Sequence, residues 1–391
     1  MEQTSAGATR RSFLRVAGVT GAAAVTVACG PAQAPAPSPA VPSSPGAAAG
    51  ARPAWQMDWD SLVAAAKQEA KLVTVSYHGN AYRKALNAFE LAFPGITVDH
   101  QHAPSSSLFI PKVTQERKAS VYSFDILSAP ASNYLNLLLP GGAFESLRSA
   151  IIKRPDVVDD KNWRLGFEYG FVDKEKQYCY MPEGQLLTFL WINTDMVKPE
   201  EFKSGRDLLD PKWKGKIVAA DVRSGNTNTG LASLRKIFGD DFVRRLVLEH
   251  GVSYRRTGAD VAPEMVRGAY PVGIGFQRSD LTTFLEQGVG KNLKALHLPE
   301  ARTFATLGGK FIFNRAPHPN AAKLFINWAL TKEGQAVFSK ETGDNSLRTD
   351  VPPAQPEDVP TPGMQMFDTT IDENDKFQVE NRKWLEDLMK G

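Results

Sequence analysis

The residues best able to do covalent or metal chemistry are thinly spread in this chain. Its six histidines are scattered. His100 and His102 alternate along one run and could share a face, but no further ligand accompanies them at metal-site spacing. No G-x-S-x-G elbow, H-E-x-x-H helix or G-x-G-x-x-G fingerprint occurs, so neither hydrolase, zincin nor dinucleotide chemistry has a motif to rest on. Cys179 is a nucleophile only if a base or a positive field lowers its pKa. Its setting, Tyr178-Cys179-Tyr180-Met181, is instead that of a small apolar residue packed in a strand. The sequence therefore assigns no catalytic residue, no metal ligand and no cofactor.

Binding chemistry is better provided. Hydroxyl, amide and glycine residues cluster directly behind apolar runs, where ligands of open α/β sheets sit. Tyr77-His78-Gly79-Asn80 follows the first such run and offers Tyr77, His78 and Asn80 to a cleft, or is a turn with Tyr77 in the core. Ser128-Ala129-Pro130-Ala131-Ser132 follows another. Ser128 and Ser132 either meet a ligand at a helix start, whose unpaired N–H groups suit anions, or Ser132 merely caps the helix. Ser224-Gly225-Asn226-Thr227-Asn228-Thr229-Gly230 is the strongest of the three. Its glycines admit a ligand to the backbone while Ser224, Asn226, Thr227, Asn228 and Thr229 supply donors. No Gly-Lys-Ser/Thr follows, so it is not a nucleotide loop. Tyr254 opens a further basic and hydroxyl-bearing stretch, Tyr254-Arg255-Arg256-Thr257.

These loops need strands and helices to hold them. A helix capped by Asp58 or Asp60 precedes the β-branched run Leu72–Tyr77. Helix 81–93 follows, with Leu86, Phe89 and Phe93 on one face, then a strand over Ile96–His100, a helix over Ser105–Ala119 and a strand at Phe124–Leu127. Alternating strands and helices imply a parallel sheet. Val172–Met181 and Leu186–Asn193 read as extended, Leu231–Phe238 as an apolar-faced helix and Val272–Phe276 as a buried strand. Ala295–Leu298 is expected to begin a crossing back, and Asn374–Met389 is a closing helix behind the Pro-rich connector Pro352–Pro362.

The chain has 391 residues, 42% of them hydrophobic and 23% charged, with a net charge of +3; this is globular composition with no electrostatic case for nucleic acid. Thr9-Arg10-Arg11-Ser12-Phe13-Leu14-Arg15 matches the twin-arginine export pattern. Small residues then lead to Thr26-Val27-Ala28-Cys29, a lipobox-like site at which Cys29 is expected to be lipidated. Pro31–Pro53, almost only Pro, Ala, Ser and Gly, is expected to be a disordered tether. With Cys29 used so, Cys179 is left alone and no intramolecular disulfide can form.

Four segments carry a resemblance. Leu307–Gln335 is a strand, a turn and a helix whose face includes Ala322, Phe325, Trp328 and Ala329, followed by a Thr331 cap. Trp191-Ile192-Asn193-Thr194, Asp210-Pro211-Lys212-Trp213-Lys214-Gly215-Lys216 and Gly343-Asp344-Asn345-Ser346-Leu347-Arg348 are the others. From about Leu72 to Val351 the chain resembles substrate-binding proteins of ABC importers, extracellular solute-binding family 1, in their ferric-ion-binding branch. The resemblance implies an α/β, two-lobed type II periplasmic-binding-protein fold, each lobe a mixed sheet flanked by helices, with two hinge crossovers. It places the first lobe at 55–188 with a return at 299–351 and the second at 189–298; the residue patterns themselves set the signal at 1–29, the linker at 30–54 and the C-terminal connector and helix at 352–391. It further implies a monomer, on the outer face of the cytoplasmic membrane, that delivers a small solute to permease subunits.

Laid on the ferric-binding relatives, Arg278 and Ser279 stand where paired tyrosines hold Fe³⁺. A guanidinium is cationic and has no lone pair for a metal, but it grips a carboxylate or phosphate through two parallel hydrogen bonds. The expected solute is accordingly an organic anion. The alternatives are a ferric or metal-complex receptor, a ligand-sensing module, a cleft-cysteine enzyme, and an Arg278 that only pairs with Asp280 or Glu286 at the surface.

Overall fold

The computed structural model describes residues 52–390 except His78, Pro104, Ser105 and Pro362. The export signal, Cys29, the tether up to residue 51 and the His78 side chain therefore lie outside the described residues. In chain order the strands are β1 (Lys71–Ser76), β2 (Thr97–His102), β3 (Ile126–Ser128), β4 (Phe144–Glu145), β5 (Glu183–Leu187), β6 (Leu190–Asn193) and β7 (Ile217–Ala220). They continue as β8 (Ser253–Arg255), β9 (Val272–Ile274), β10 (Leu293–Leu296), β11 (Thr303–Leu307), β12 (Lys310–Phe313) and β13 (Phe367–Asp368).

Two five-stranded sheets share one plan. The first runs β2-β1-β3-β12-β4 and the second β8-β7-β9-β6-β10. In each, three strands are parallel and the fourth is antiparallel. Parallel neighbours need crossovers, and helices Gly79–Ala92 and Ser106–Lys118 supply them in the first sheet. The β1 residues after Lys71 are all buried, as expected of a strand covered on both faces. The fourth strand is exchanged: β12 returns to the first sheet after the second is built, and β6 enters the second directly from the first lobe.

A third sheet, β13-β11-β5, is made by the crossings themselves, with β11 antiparallel to β5 from Thr303↔Leu187 to Leu307↔Glu183. Each lobe has its own core. In the first, helix Gly79–Ala92 buries Tyr82, Ala85, Leu86 and Phe89 at helical spacing. Phe89 meets Phe325 and Trp328 of helix Pro319–Ala329 at centroid distances of 5.3 and 5.4 Å, edge to face. In the second, Asp210 caps the turn Pro211–Trp213, and Trp213 stacks on Phe202 at 5.1 Å before β7 begins. Among the described residues no helix is long and apolar enough to cross a membrane.

Four local expectations are corrected. The first helix is Ala54–Glu69 and starts behind Pro53, not at Asp58 or Asp60; its Trp55 and Trp59 rings lie 5.5 and 4.6 Å from Arg154, which anchors the extra turn. Val172–Met181 is not extended, because the Asp173 carboxylate accepts the backbone N–H groups of Gln177, Tyr178 and Cys179 and rolls the segment into a loop. Gly225–Gly230 is not a loop but the first turns of helix Gly225–Phe238. Ala295 and Leu296 end β10, paired with β6, and the crossing back is β11.

Candidate functional site: the cleft between the lobes

The ends of β3 and β7 point loops and a helix start at one another across the crossing strands. Between them lies a cleft of about 370 Å³. Pro130 to Asn136 form one wall, Gly225, Asn226 and Thr229 the facing wall, and Leu187 of β5 and Thr306 of β11 the floor. The fourth side comes from the C-terminal segment, through Thr369, Thr370, Asp372, Asp375 and Gln378.

The lining is rich in hydroxyls and amides. Ser132, Thr229, Thr306, Thr369 and Thr370 supply the former, Asn136, Asn226 and Gln378 the latter, and Leu135, Val172, Met181 and Leu187 an apolar patch. Its charge is negative: Asp372 and Asp375 line it, and among the described residues no lysine or arginine does. Partial burial, and then the neighbouring charge of Asp372, push the Asp375 carboxyl above its usual range.

Of the residues expected in the site, Ser132, Asn226 and Thr229 line this cleft. Ser224 stands at the N-cap position without a side-chain bond to the helix N–H groups, and donates its hydroxyl to Thr227 Oγ1 at 2.9 Å. Thr227 and Asn228 are buried rather than presented. Asn228 donates to the Gln378 carbonyl at 3.2 Å and accepts from Asn381 at 3.0 Å, so the closing helix Asp372–Leu388 has taken its groups. Thr229 Oγ1 also binds that helix, at 2.7 Å from Gln378 Oε1. Thr227 is fixed from its other side by Gly275: with φ at +80° and Thr227 Oγ1 only 1.8 Å from where a Cβ would stand, that position admits only glycine.

The remaining expected residues stand elsewhere. Ser128 is fully buried at the end of β3. Tyr77 is half-buried behind β1, its carbonyl 3.0 Å from His102 Nε2, and Asn80 is exposed in the next helix. The Tyr254 hydroxyl donates to the Val247 carbonyl at 3.2 Å, inside the second lobe. Ser279 is exposed.

Arg278 is neither free nor paired with Asp280 or Glu286. Its guanidinium donates to Gln355 Oε1 at 2.8 Å and to Glu357 Oε1 at 2.5 Å, and lies 5.6 Å from the Trp191 ring. Gln355 in turn exchanges hydrogen bonds with Asn345 and donates to the Gly343 carbonyl, while Asp358 pairs with His297 at 2.7 Å. The connector thus clasps Arg278 and His297 of the second lobe to Gly343 and Asn345 of the first.

Sequence reasoning missed the C-terminal contribution. The one signal available was the acidic first turn of the closing helix, Asp372, Glu373 and Asp375, which is also how any helix start is stabilised. Cys179 is fully buried, and burial, with Asp173 beside it, pushes its thiol well above the usual value, the reverse of nucleophilic activation.

Two sheets of equal plan, joined by paired crossings and open to a polar cleft, define a two-lobed binding protein. The comparisons agree. The profile of the bacterial extracellular solute-binding protein family matches residues 84–363, and the chain belongs to that family. An uncharacterized protein of Haemophilus influenzae is 36% identical over 149 residues, which is 37% of this chain and 41% of that one, so the chain spans less than half of this relative's length. Among solved structures, iron-bound HitA from Pseudomonas aeruginosa aligns with a TM-score of 0.60 at 16% identity, over 81% of this chain and 99% of that one. The periplasmic binding protein AfuA from Actinobacillus pleuropneumoniae, with fructose-6-phosphate bound, aligns with a TM-score of 0.51 at 23% identity, over 81% and 96%. At such identities the likeness speaks for the type II periplasmic-binding-protein fold, which this chain has.

Proposed function

We propose that this protein is the solute receptor of an ABC importer, closing its lobes over a small polar molecule and delivering it to a permease. The observation that carries this is the cleft of about 370 Å³ walled by both lobes, within the range of about 300–1,000 Å³ typical of small-molecule sites. Closure follows if the solute touches both walls, because the closed state then binds it better than the open one. The lining favours a solute rich in hydroxyl or amino groups: it offers hydroxyls, amides and two carboxylates, and no cation among the described residues. A thermal-shift screen of polyols, sugars, amines and polyamines tests this. An amine hit should lose about tenfold or more in affinity on Asp375→Asn, and a screen in which only anions shift the melting temperature would overturn it.

Arg278 favours a second reading, the organic anion expected from the sequence. Glu357 and Gln355 already engage its guanidinium, and a carboxylate, phosphonate or phosphate ester would bind by displacing Glu357. On this reading Glu357→Ala tightens binding of an anionic hit and Arg278→Ala abolishes it; an anion whose affinity ignores both changes removes Arg278 from the site. A bare ferric ion has less support. A cation holds the place of the ferric-binding tyrosines, and burial, followed by the Asp344 and Glu183 charges, keeps the Tyr77 phenol far from ionisation. Twin-arginine export, lipidation of Cys29 and a monomeric receptor on the outer face of the cytoplasmic membrane complete the proposal. Membrane association lost on Cys29→Ser checks the anchor.

A further inference from the structure

At the end of the first sheet remote from the cleft there is a second, larger recess, of about 480 Å³. Its position follows from register. Lys310 pairs with Ser128 and Ile312 with Ile126, so β12 runs away from the cleft and delivers Asn314 and Arg315 to the opposite end of the lobe. Helix Ser106–Lys118 also ends there, with Arg117 and Lys118 in its last turn.

Arg117, Lys118 and Arg315 all line the recess, and no carboxylate does among the described residues. None of the three makes an ion pair among those residues, although Lys112, one helical turn back, pairs with Glu116 at 2.8 Å. The two arginines are organised by a single ring. Arg117 Cζ and Arg315 Cζ each stand 5.3 Å from the Tyr122 centroid, and Arg315 Nη1 donates to the Tyr122 hydroxyl at 2.8 Å. Arg117 is braced by the carbonyls of Asn314 and Gly142, at 3.1 and 2.8 Å. Arg315 adopts φ +61°, a left-handed conformation that residues with a β-carbon rarely take.

The C-termini of helices Ser106–Lys118 and Ala131–Leu137 contribute roughly half a negative charge each. That offsets about one of the three cations and leaves a surplus near two. Burial, and the like charge of Arg315, also hold the Arg117 guanidinium below its usual pKa, which reflects the crowding. Guanidinium forks held by an aromatic ring are suited to the tetrahedral oxygens of a phosphate.

We propose that this recess is an anion site for a phosphate group, separate from the solute cleft, held by Arg117, Lys118 and Arg315 around Tyr122. The group comes either from free phosphate or from the headgroup of an anionic phospholipid. The test uses the exported chain, with inorganic phosphate followed by calorimetry and melting temperature, and with phosphatidylglycerol against phosphatidylcholine vesicles followed by co-sedimentation. Arg315→Gly is the informative variant, since glycine relieves the φ +61° backbone and should keep or raise the melting temperature. It should weaken phosphate or phosphatidylglycerol binding about tenfold or more, as should Lys118→Gln. Binding of free phosphate supports the soluble source, and binding of phosphatidylglycerol vesicles alone supports the lipid source. Absence of both, or binding that survives Arg315→Gly together with Lys118→Gln, overturns the proposal.

Discussion

A carboxylate and an ammonium stand side by side, both almost wholly buried, where the chain crosses between its lobes. Lys310 Nζ is 3.4 Å from Glu183 Oε2 and also donates to the Gly308 carbonyl. Gln335 Nε2 adds a bond to Glu183 at 3.3 Å. Burial raises the Glu183 pKa and Lys310 partly opposes it, so each group makes the other tolerable. Lys310→Met should cost about 3–5 kcal/mol in urea unfolding, while Glu183→Gln with Lys310→Met recovers most of the loss. Gly308 is required beside the pair, since a Cβ there would lie 1.6 Å from Glu183 Oε2. Arg348 shows the opposite sign. Its bidentate bonds to Asp350, at 2.8 and 2.9 Å, hold that carboxyl below its usual range. Such a contribution is complete above the unfolded carboxyl pKa and is lost as pH falls through the lower folded value. Asp350→Asn should therefore lower the melting temperature at pH 7 and make no difference once the wild-type carboxyl is protonated in acid. Local chemistry of this kind was partly legible. Thr331 accepts from Gly334 N as its position suggests, and Trp213 packs behind Pro211. The Glu183–Lys310 pair was not, because its partners are 127 positions apart and neither sits in a telling motif.

At the scale of elements, the closing helix Asp372–Leu388 does more than finish the chain. Asn381 is fully buried and donates to the Asn228 carbonyl and Oδ1, at 3.3 and 3.0 Å. Asn381→Ala leaves the buried Asn228 Oδ1 without its donor, while the Asn228 carbonyl keeps its helical one, and should cost about 1–3 kcal/mol, read from the denaturant midpoint. Thr229 and Gln378 continue the seam toward the cleft, so the variant should also weaken solute binding. This packing explains why Ser224–Gly230 was misread as a loop. Its composition is that of a turn, but the buried seam and the Phe189 ring against Gly230 hold it helical. For Val172–Met181 the error ran the other way, since Tyr178–Met181 suggested a packed strand while one carboxylate, Asp173, took the N–H groups a ladder would need. Strands such as β1 and β9 and helices such as Pro319–Ala329 were legible because burial of a continuous face leaves a period in the sequence.

At the scale of the molecule, two sheets of one plan exchange a strand, and two antiparallel crossings are all that continues directly from one sheet to the other. Such a hinge lets the lobes move as bodies. A connector bonded to both lobes restrains them. Between Gln355 and Asp358 it holds Arg278 and His297 on one side and Gly343 and Asn345 on the other. We expect Glu357→Ala, with Asp358→Ala, to widen the unliganded molecule, seen as a larger radius of gyration in small-angle scattering; an unchanged radius would mean the fastening bears no tension. On the proposed function, a transporter would feel the outcome. If Arg278 anchors the solute, as the second reading proposes, a receptor whose own tail occupies that arginine would look much the same vacant as laden, and vacant copies would compete for the same dock. Discrimination would then be read from whether that tail has been dislodged, more than from how far the jaws have shut.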